Sequence, residues 1–223
     1  YGSIGDYVWL DENANGIQDL GETGINGLQV TLYDGSGTLI NTTFTTTNIT
    51  TGVSGWYRFN NLVPGDYKVL FSKTGYDSFS PKDVGGNDEL DSDADPITGL
   101  TTIITLTSGE VDKTWDAGVY EYGSIGDFVW RDDNEDGIQD LGESGENGIT
   151  VKLLNSSGIE IASTITVGHP ITGAAGYYLF DNLVPGDYTV QFFSVTGLDF
   201  TTRYATTNDK DSDADAVTGK SGV

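Results

Sequence analysis

Oxygen-bearing side chains stand at a regular spacing in residues 11–22, DENANGIQDLGE. Asp11, Asn13, Asn15, Asp19 and Glu22 occupy positions 1, 3, 5, 9 and 12 of a twelve-residue loop. Gly16 falls at position 6, and the main-chain carbonyl of Ile17 at position 7. This is the ligand spacing of an EF-hand calcium loop, where a hard cation takes about six to eight oxygens and the glycine allows a sharp turn. Residues 132–143, DDNEDGIQDLGE, repeat it with Asp132, Asn134, Asp136, Asp140 and Glu143, Gly137 and the carbonyl of Ile138. One such stretch fits an ordinary Asn/Asp/Gly turn; two at equivalent places point to bound Ca2+. The first loop offers the carboxylates of Asp11, Asp19 and Glu22, and the second adds Asp136 in place of Asn15. Affinity rises with ligand charge at equal geometry, so the second loop is expected to bind calcium more tightly.

A second acidic run, DSDAD, carries Asp91, Asp93 and Asp95 and returns as Asp211, Asp213 and Asp215. Alternation puts three carboxylates on one side of an extended segment, where like charges repel. A solvated acidic loop would account for one copy; persistence through a one-residue length difference favours a second calcium site. Asp6 and its counterpart Asp127 share a strand face with apolar neighbours, Ile4 and Val8 in the first copy. A carboxylate on a half-buried face costs free energy unless it meets a cation or donors. Either it completes the second site or it accepts main-chain hydrogen bonds.

Neither flank of the first loop looks helical: it lies between SIGDYVWL and NGLQVTLYD, both strand-like. Leu28, Val30 and Leu32 alternate with polar residues, as do Ile149, Val151 and Leu153, and as do Tyr67, Val69 and Phe71 after the VPGD bend. TTIITL at 101–106 and KTWDAGVY at 113–120 supply later strands, and the Thr-rich stretch 41–52 reads as an exposed strand. Its sequon matches at Asn41 and Asn48 carry little weight. Several short strands between turn signals, with 31 glycines, predict an all-β chain of sandwich type. YGSIGDYVW at 1–9 returns as YGSIGDFVW at 122–130, and NLVPGDY at 61–67 returns at 182–188. Two copies of one module are therefore expected, at 1–121 and 122–223, joined directly over about Val119–Tyr122, a joint short enough to be stiff. The second copy has nothing to match 104–120. If that stretch closes each module, the second is expected to end with an open edge or a disordered tail. A start at Tyr1 and the lack of Met read as a segment of a longer protein.

Thirty-four acidic against ten basic residues give a net charge of −24. Nucleic acid and anionic membrane would repel this surface, and its self-repulsion favours cations as partners. No apolar run approaches the roughly 20 residues of a membrane span, so no insertion is expected. With no Cys and one His, disulfides are absent and zinc is a poor candidate. GxSxG and HExxH are missing, and His169 sits in a turn-like VGHPITG without a counterpart in the first copy. Metal ligation accounts for the acids that a glycosidase would pair. No enzyme is predicted.

The stretch GSIGDYVWLDENANGIQDLGETGINGLQVTLYD, followed by GWYRFNNLVPGDYKVLF, DSDAD and DAGVY, resembles the SdrD-type B domains of serine-aspartate repeat surface proteins. The resemblance covers both copies and implies an immunoglobulin-like or prealbumin-like sandwich with several calcium ions per module. It further implies an extracellular stalk of a bacterial adhesin, with neighbouring repeats as partners. The Lys–Asn cross-link of related collagen-adhesin domains uses a first-strand lysine; the first lysine here is Lys68, so none is expected. Where the family commonly has an acidic TDADG turn, this chain has TGVSG and TGAAG. The alternative function is an adhesive module that holds a carbohydrate or host protein through aromatics such as Trp56 or Trp115, although both read better as core-packed.

Overall fold

The predicted period of two appears as strands that feed one core. In the first unit these are β1 (Gly2–Ile4), β2 (Val8–Leu10), β3 (Gln29–Asp34), β4 (Leu39–Phe44), β5 (Phe59–Leu62), β6 (Gly65–Phe71), β7 (Ser78–Phe79), β8 (Ile104–Leu106), β9 (Val111–Asp112) and β10 (Ala117–Tyr120). The second unit holds β11 (Gly123–Phe128), β12 (Thr150–Asn155), β13 (Glu160–Ile165), β14 (Tyr177–Leu183) and β15 (Tyr188–Phe192). The computed structural model describes residues 1–194, 197–206 and 210–223, and no helix occurs among them. None is therefore long and apolar enough to cross a membrane. The units divide between Tyr122 and Gly123.

In the first unit a four-stranded sheet, β4-β3-β6-β8, supplies Val30, Leu32, Tyr67, Val69, Phe71, Ile104 and Leu106 to the core. The opposing residues come from the sheets β5-β1-β9 and β2-β10-β7: Ile4, Val8, Phe59, Phe79, Ala117 and Val119 join the same cluster. Alternate residues of two layers meeting in one cluster are the anatomy of a sandwich. Burial of such side chains contributes about 1.5–3 kcal/mol each. The second unit repeats this on a smaller scale, with sheets β13-β12-β15 and β11-β14 around Val151, Leu153, Tyr178, Phe180 and Val190.

Four expected strands are shorter than predicted. SIGDYVWL is broken into β1 and β2 around Tyr7, whose N–H donates to Asp116 Oδ1 at 2.9 Å. The chain thereby leaves β5 and β9 and enters the sheet of β10. In the second unit β11 pairs with β14 from Gly123 to Phe128, with a register shift between Gly123 and Ile125. The Thr-rich strand ends at Phe44, after which Thr45 turns inward and its hydroxyl accepts the Leu28 N–H at 2.9 Å. Only 104–106 and 117–120 of the later segments are strand, with a β9 bridge between them.

Candidate metal centre

The first acidic loop starts where β2 ends, with the Asp11 N–H donating to the Val119 carbonyl at 2.9 Å. The Asp11 side chain is fully buried and turned into the loop, its Oδ2 accepting the Gly16 N–H at 2.8 Å and its Oδ1 the Asn15 N–H at 3.2 Å. Gly16 takes φ +83°, and a Cβ there would meet the Pro81 carbonyl oxygen at 2.3 Å, so only glycine fits. Glu22 ties the loop together: Oε1 accepts the Glu12 N–H at 2.9 Å and Oε2 the Asp19 N–H at 2.8 Å. The Nδ2 groups of Asn13 and Asn15 both donate to Asp19 Oδ2 at 2.8 Å. All five side chains thus belong to one hydrogen-bonded loop, in which amide hydrogens supply the positive potential facing Asp19. Half-turns of both amides would exchange nitrogen for oxygen and make the lining all oxygen, at the cost of the bonds their Oδ1 atoms accept from the Asn15 and Ile17 N–H groups.

The second loop closes in the same way. Glu143 accepts the N–H groups of Asp133 and Asp140 at 2.9 Å, and Asp132 Oδ2 accepts the Gly137 N–H at 2.7 Å. Asn134 Nδ2 donates to both Asp136 and Asp140 at 3.0 Å. Burial raises the Asp132 carboxyl, but hydrogen bonds from the Thr201 hydroxyl and nearby N–H groups outweigh it and hold the group below its ordinary value.

The DSDAD segments, separate in the sequence reading, are stitched to these loops. Ile17 bridges Asp91, with the Gln18 N–H donating to the Leu90 carbonyl at 2.7 Å and the Ser92 N–H to the Gly16 carbonyl at 3.0 Å. Ile138 bridges Asp211 in the second unit. Carboxylate oxygens of Asp88, Asp91 and Asp93 lie within 4.8 Å of one another. Asp116, from the segment leading into β10, adds a fourth acid: its N–H donates to Asp93 Oδ2 at 2.7 Å, and its Oδ1 accepts the Tyr7 N–H at 2.9 Å. Asp93 is 3% and Asp116 1% exposed, yet Asp91 Oδ1 and Asp116 Oδ2 are buried without a hydrogen-bond partner.

Electrostatics follow from that crowding. Burial pushes the Asp93 carboxyl up to about 8, with the Asp116 N–H opposing. Burial and then Asp6 raise Asp116 well above the carboxylate range. Burial lifts Asp6 to about 6 against the pull of Lys113. Asp95 is directed elsewhere, its Oδ1 accepting from Ile97, Thr98 and the Thr98 hydroxyl, and Asp215 caps the equivalent turn over Val217 and Thr218. In the second unit Asp127 and Asp213 are exposed and Asp211 is half-buried, so this centre is more open there. His169 is a turn residue whose Nδ1 accepts the N–H groups of Ile171 and Thr172 at 3.2 Å, with its ring 4.5 Å from that of Tyr177. Sequence reading did not select Asp88 or Asp116. Repetition picked out the other acids, whereas Asp116 lies in the stretch that the second copy does not repeat.

A tandem all-β repeat with paired, carboxylate-lined loops is a modular architecture. The chain belongs to the SdrD B-like domain family, whose model matches residues 2–119 and again 123–223. Serine-aspartate repeat-containing protein D of Staphylococcus aureus (strain NCTC 8325 / PS 47) is 38% identical over 218 residues, 96% of this chain and 15% of that protein. Serine-aspartate repeat-containing protein F of Staphylococcus epidermidis is 41% identical over 202 residues, covering 87% of this chain and 11% of its own. The chain thus spans a small part of the curated relatives it matches. Among solved structures, the Bacillus anthracis TIE protein aligns with 90% of this chain and 30% of its own at 15% identity and a TM-score of 0.35. GBS52, the minor pilin of Streptococcus agalactiae, aligns with 88% of this chain and 85% of its own at 15% identity and a TM-score of 0.29.

Proposed function

We propose that the two units are calcium-stabilised repeats serving as a stiff spacer in an extracellular bacterial surface adhesin. The observation that carries the calcium reading is the pair of buried, unpartnered carboxylate oxygens on Asp91 and Asp116 beside buried Asp93. Buried acids without a cation are costly. The donor set is all oxygen, which suits a hard cation and no thiophilic one. Asp11, Asn13, Asn15, the Ile17 carbonyl, Asp19 and Glu22 would hold one ion and Asp88, Asp91, Asp93 and Asp116, with Asp6 nearby, another. The second-unit counterparts Asp132, Asn134, Asp136, Ile138, Asp140 and Glu143 would hold a third. Bound calcium supplies positive charge that offsets the mutual repulsion of these groups. The likeness to staphylococcal serine-aspartate repeat proteins supports the surface placement, and the short joint read from the sequence supports stiffness.

Calorimetric melting with calcium and with EDTA tests the reading. A ligand at 100-fold its Kd that binds only the folded state contributes about 2.7 kcal/mol per site, or roughly 10 °C for a unit of this size. An unchanged midpoint in EDTA overturns it.

A further inference from the structure

Asparagine is followed by glycine at three places in the chain, 15–16, 26–27 and 147–148. In such a pair the glycine nitrogen can reach the asparagine side chain, because no Cβ on the following residue hinders it. The fold fastens the three pairs in two different ways. The Gly27 N–H donates to the Thr45 carbonyl and the Gly148 N–H to the Thr166 carbonyl, each at 2.8 Å. The same two threonines hold Leu28 and Ile149 through their hydroxyls. The side chains of Asn26 and Asn147 are tied as well, accepting the Gly55 and Gly176 N–H groups at 2.9 and 2.7 Å. These locks are neutral, and freeing them means parting the segments that lead into β3 and β12. Asn15–Gly16 is locked by carboxylates instead. The Gly16 N–H donates to Asp11 Oδ2 and Asn15 Nδ2 to Asp19 Oδ2, both at 2.8 Å, while Asn15 Oδ1 accepts the Ile17 N–H at 2.7 Å. Residues 11–22 contain no Lys or Arg to offset Asp11, Asp19 and Glu22. Repulsion among these acids favours local opening of the loop, which releases the Gly16 nitrogen and the Asn15 amide together.

We infer that Asn15 is a site of spontaneous deamidation that calcium guards; the guard, though not the site, rests on the calcium reading proposed above. In the open loop the Gly16 nitrogen gives its proton to solvent and bonds to Asn15 Cγ. The Cγ–Nδ2 bond breaks, and the amide nitrogen leaves as ammonia with a proton from solvent. Water then opens the resulting succinimide at either carbonyl, leaving an aspartate or an isoaspartate at position 15. The aspartate reproduces the second loop, where Asp136 precedes Gly137. The isoaspartate puts an extra carbon into the main chain before Gly16. The Gly16 N–H and carbonyl then cannot both keep their present partners, Asp11 and the Ser92 N–H. Bound calcium would take the Asn15 oxygen as a ligand and hold the loop closed, so a loop left without the ion is the one that is altered for good.

The test incubates the full chain at neutral pH in EDTA, in calcium and in denaturant, then digests it. Mass spectrometry follows the gain in mass at each of the three pairs, with isoaspartate separated from aspartate by chromatography. In EDTA Asn15 is expected to react fastest of the three, and in denaturant the three rates are expected to converge, which assigns the order to the fold. Calcium at 100-fold its Kd is expected to slow Asn15 by about 100-fold, because only the ion-free fraction reacts, and to slow Asn26 and Asn147 less. Asn15→Gln is expected to abolish the mass gain in its peptide. Equal rates at the three pairs in EDTA, or a faster reaction at Asn26 or Asn147, overturn the site. An Asn15 rate that ignores calcium, in a chain whose melting midpoint rises with calcium, overturns the guard. A rate and a midpoint that both ignore calcium overturn the calcium reading itself.

Discussion

Replacing Asp116 by Asn should change sign with calcium. The side chain is buried, its Oδ1 accepts the Tyr7 N–H, and its Oδ2 faces other acids with no donor. Asn keeps the oxygen for Tyr7 and turns an N–H2 donor towards those acids. Without calcium, at a pH high enough to ionise Asp116, Asp116→Asn therefore removes an uncompensated buried oxygen, a defect of about 1–3 kcal/mol. At roughly 4 °C per kcal/mol for about 120 residues, the first unit should melt some 4–12 °C higher in EDTA. With calcium the same change removes a charged ligand. A tenfold weaker affinity would subtract about 1.4 kcal/mol from the calcium increment, so the gain seen in EDTA shrinks or reverses. Calorimetry of the parent and variant chains in both buffers measures the four midpoints. A variant that melts lower in EDTA, or one that keeps the full calcium increment, refutes the reasoning.

Without calcium, stability should fall as pH rises from about 4 to about 8. Asp6 and Asp93 have folded-state values of about 6 and about 8, above the roughly 3.9 of an unfolded aspartate. The native state therefore binds more protons across that window, and stability is lost as they leave; a flat EDTA melting profile contradicts this. Asn15→Asp in the first loop gives it the carboxylate count of the second, and titration calorimetry should show its calcium affinity rise; an unchanged or weaker Kd speaks against charge count as the cause of any difference between loops. Gly118→Ala should destabilise the first unit by about 1–3 kcal/mol through the clash with Trp9 and Ser80, measured by denaturant midpoint with an unchanged m-value.

Repetition and period were enough to reveal the duplicated all-β fold, the inward faces of β3 and β6, and the acids of both loops. These are local properties: a two-residue alternation and a ligand spacing are visible in a string because neighbouring residues produce them. The break between β1 and β2 was not visible, since it falls where Tyr7 meets Asp116, residues remote in sequence. Nor was the union of the Asp11–Glu22 loop with the DSDAD segment, which depends on the bridge from Ile17 to Asp91. Asp116 looked like one polar residue in a strand; only the pairing of β10 with β2 sets it between Tyr7 and Asp93. The identity of the acids was a property of the chain, whereas burial, and with it the cost of each charge, was decided by which strand came to cover them.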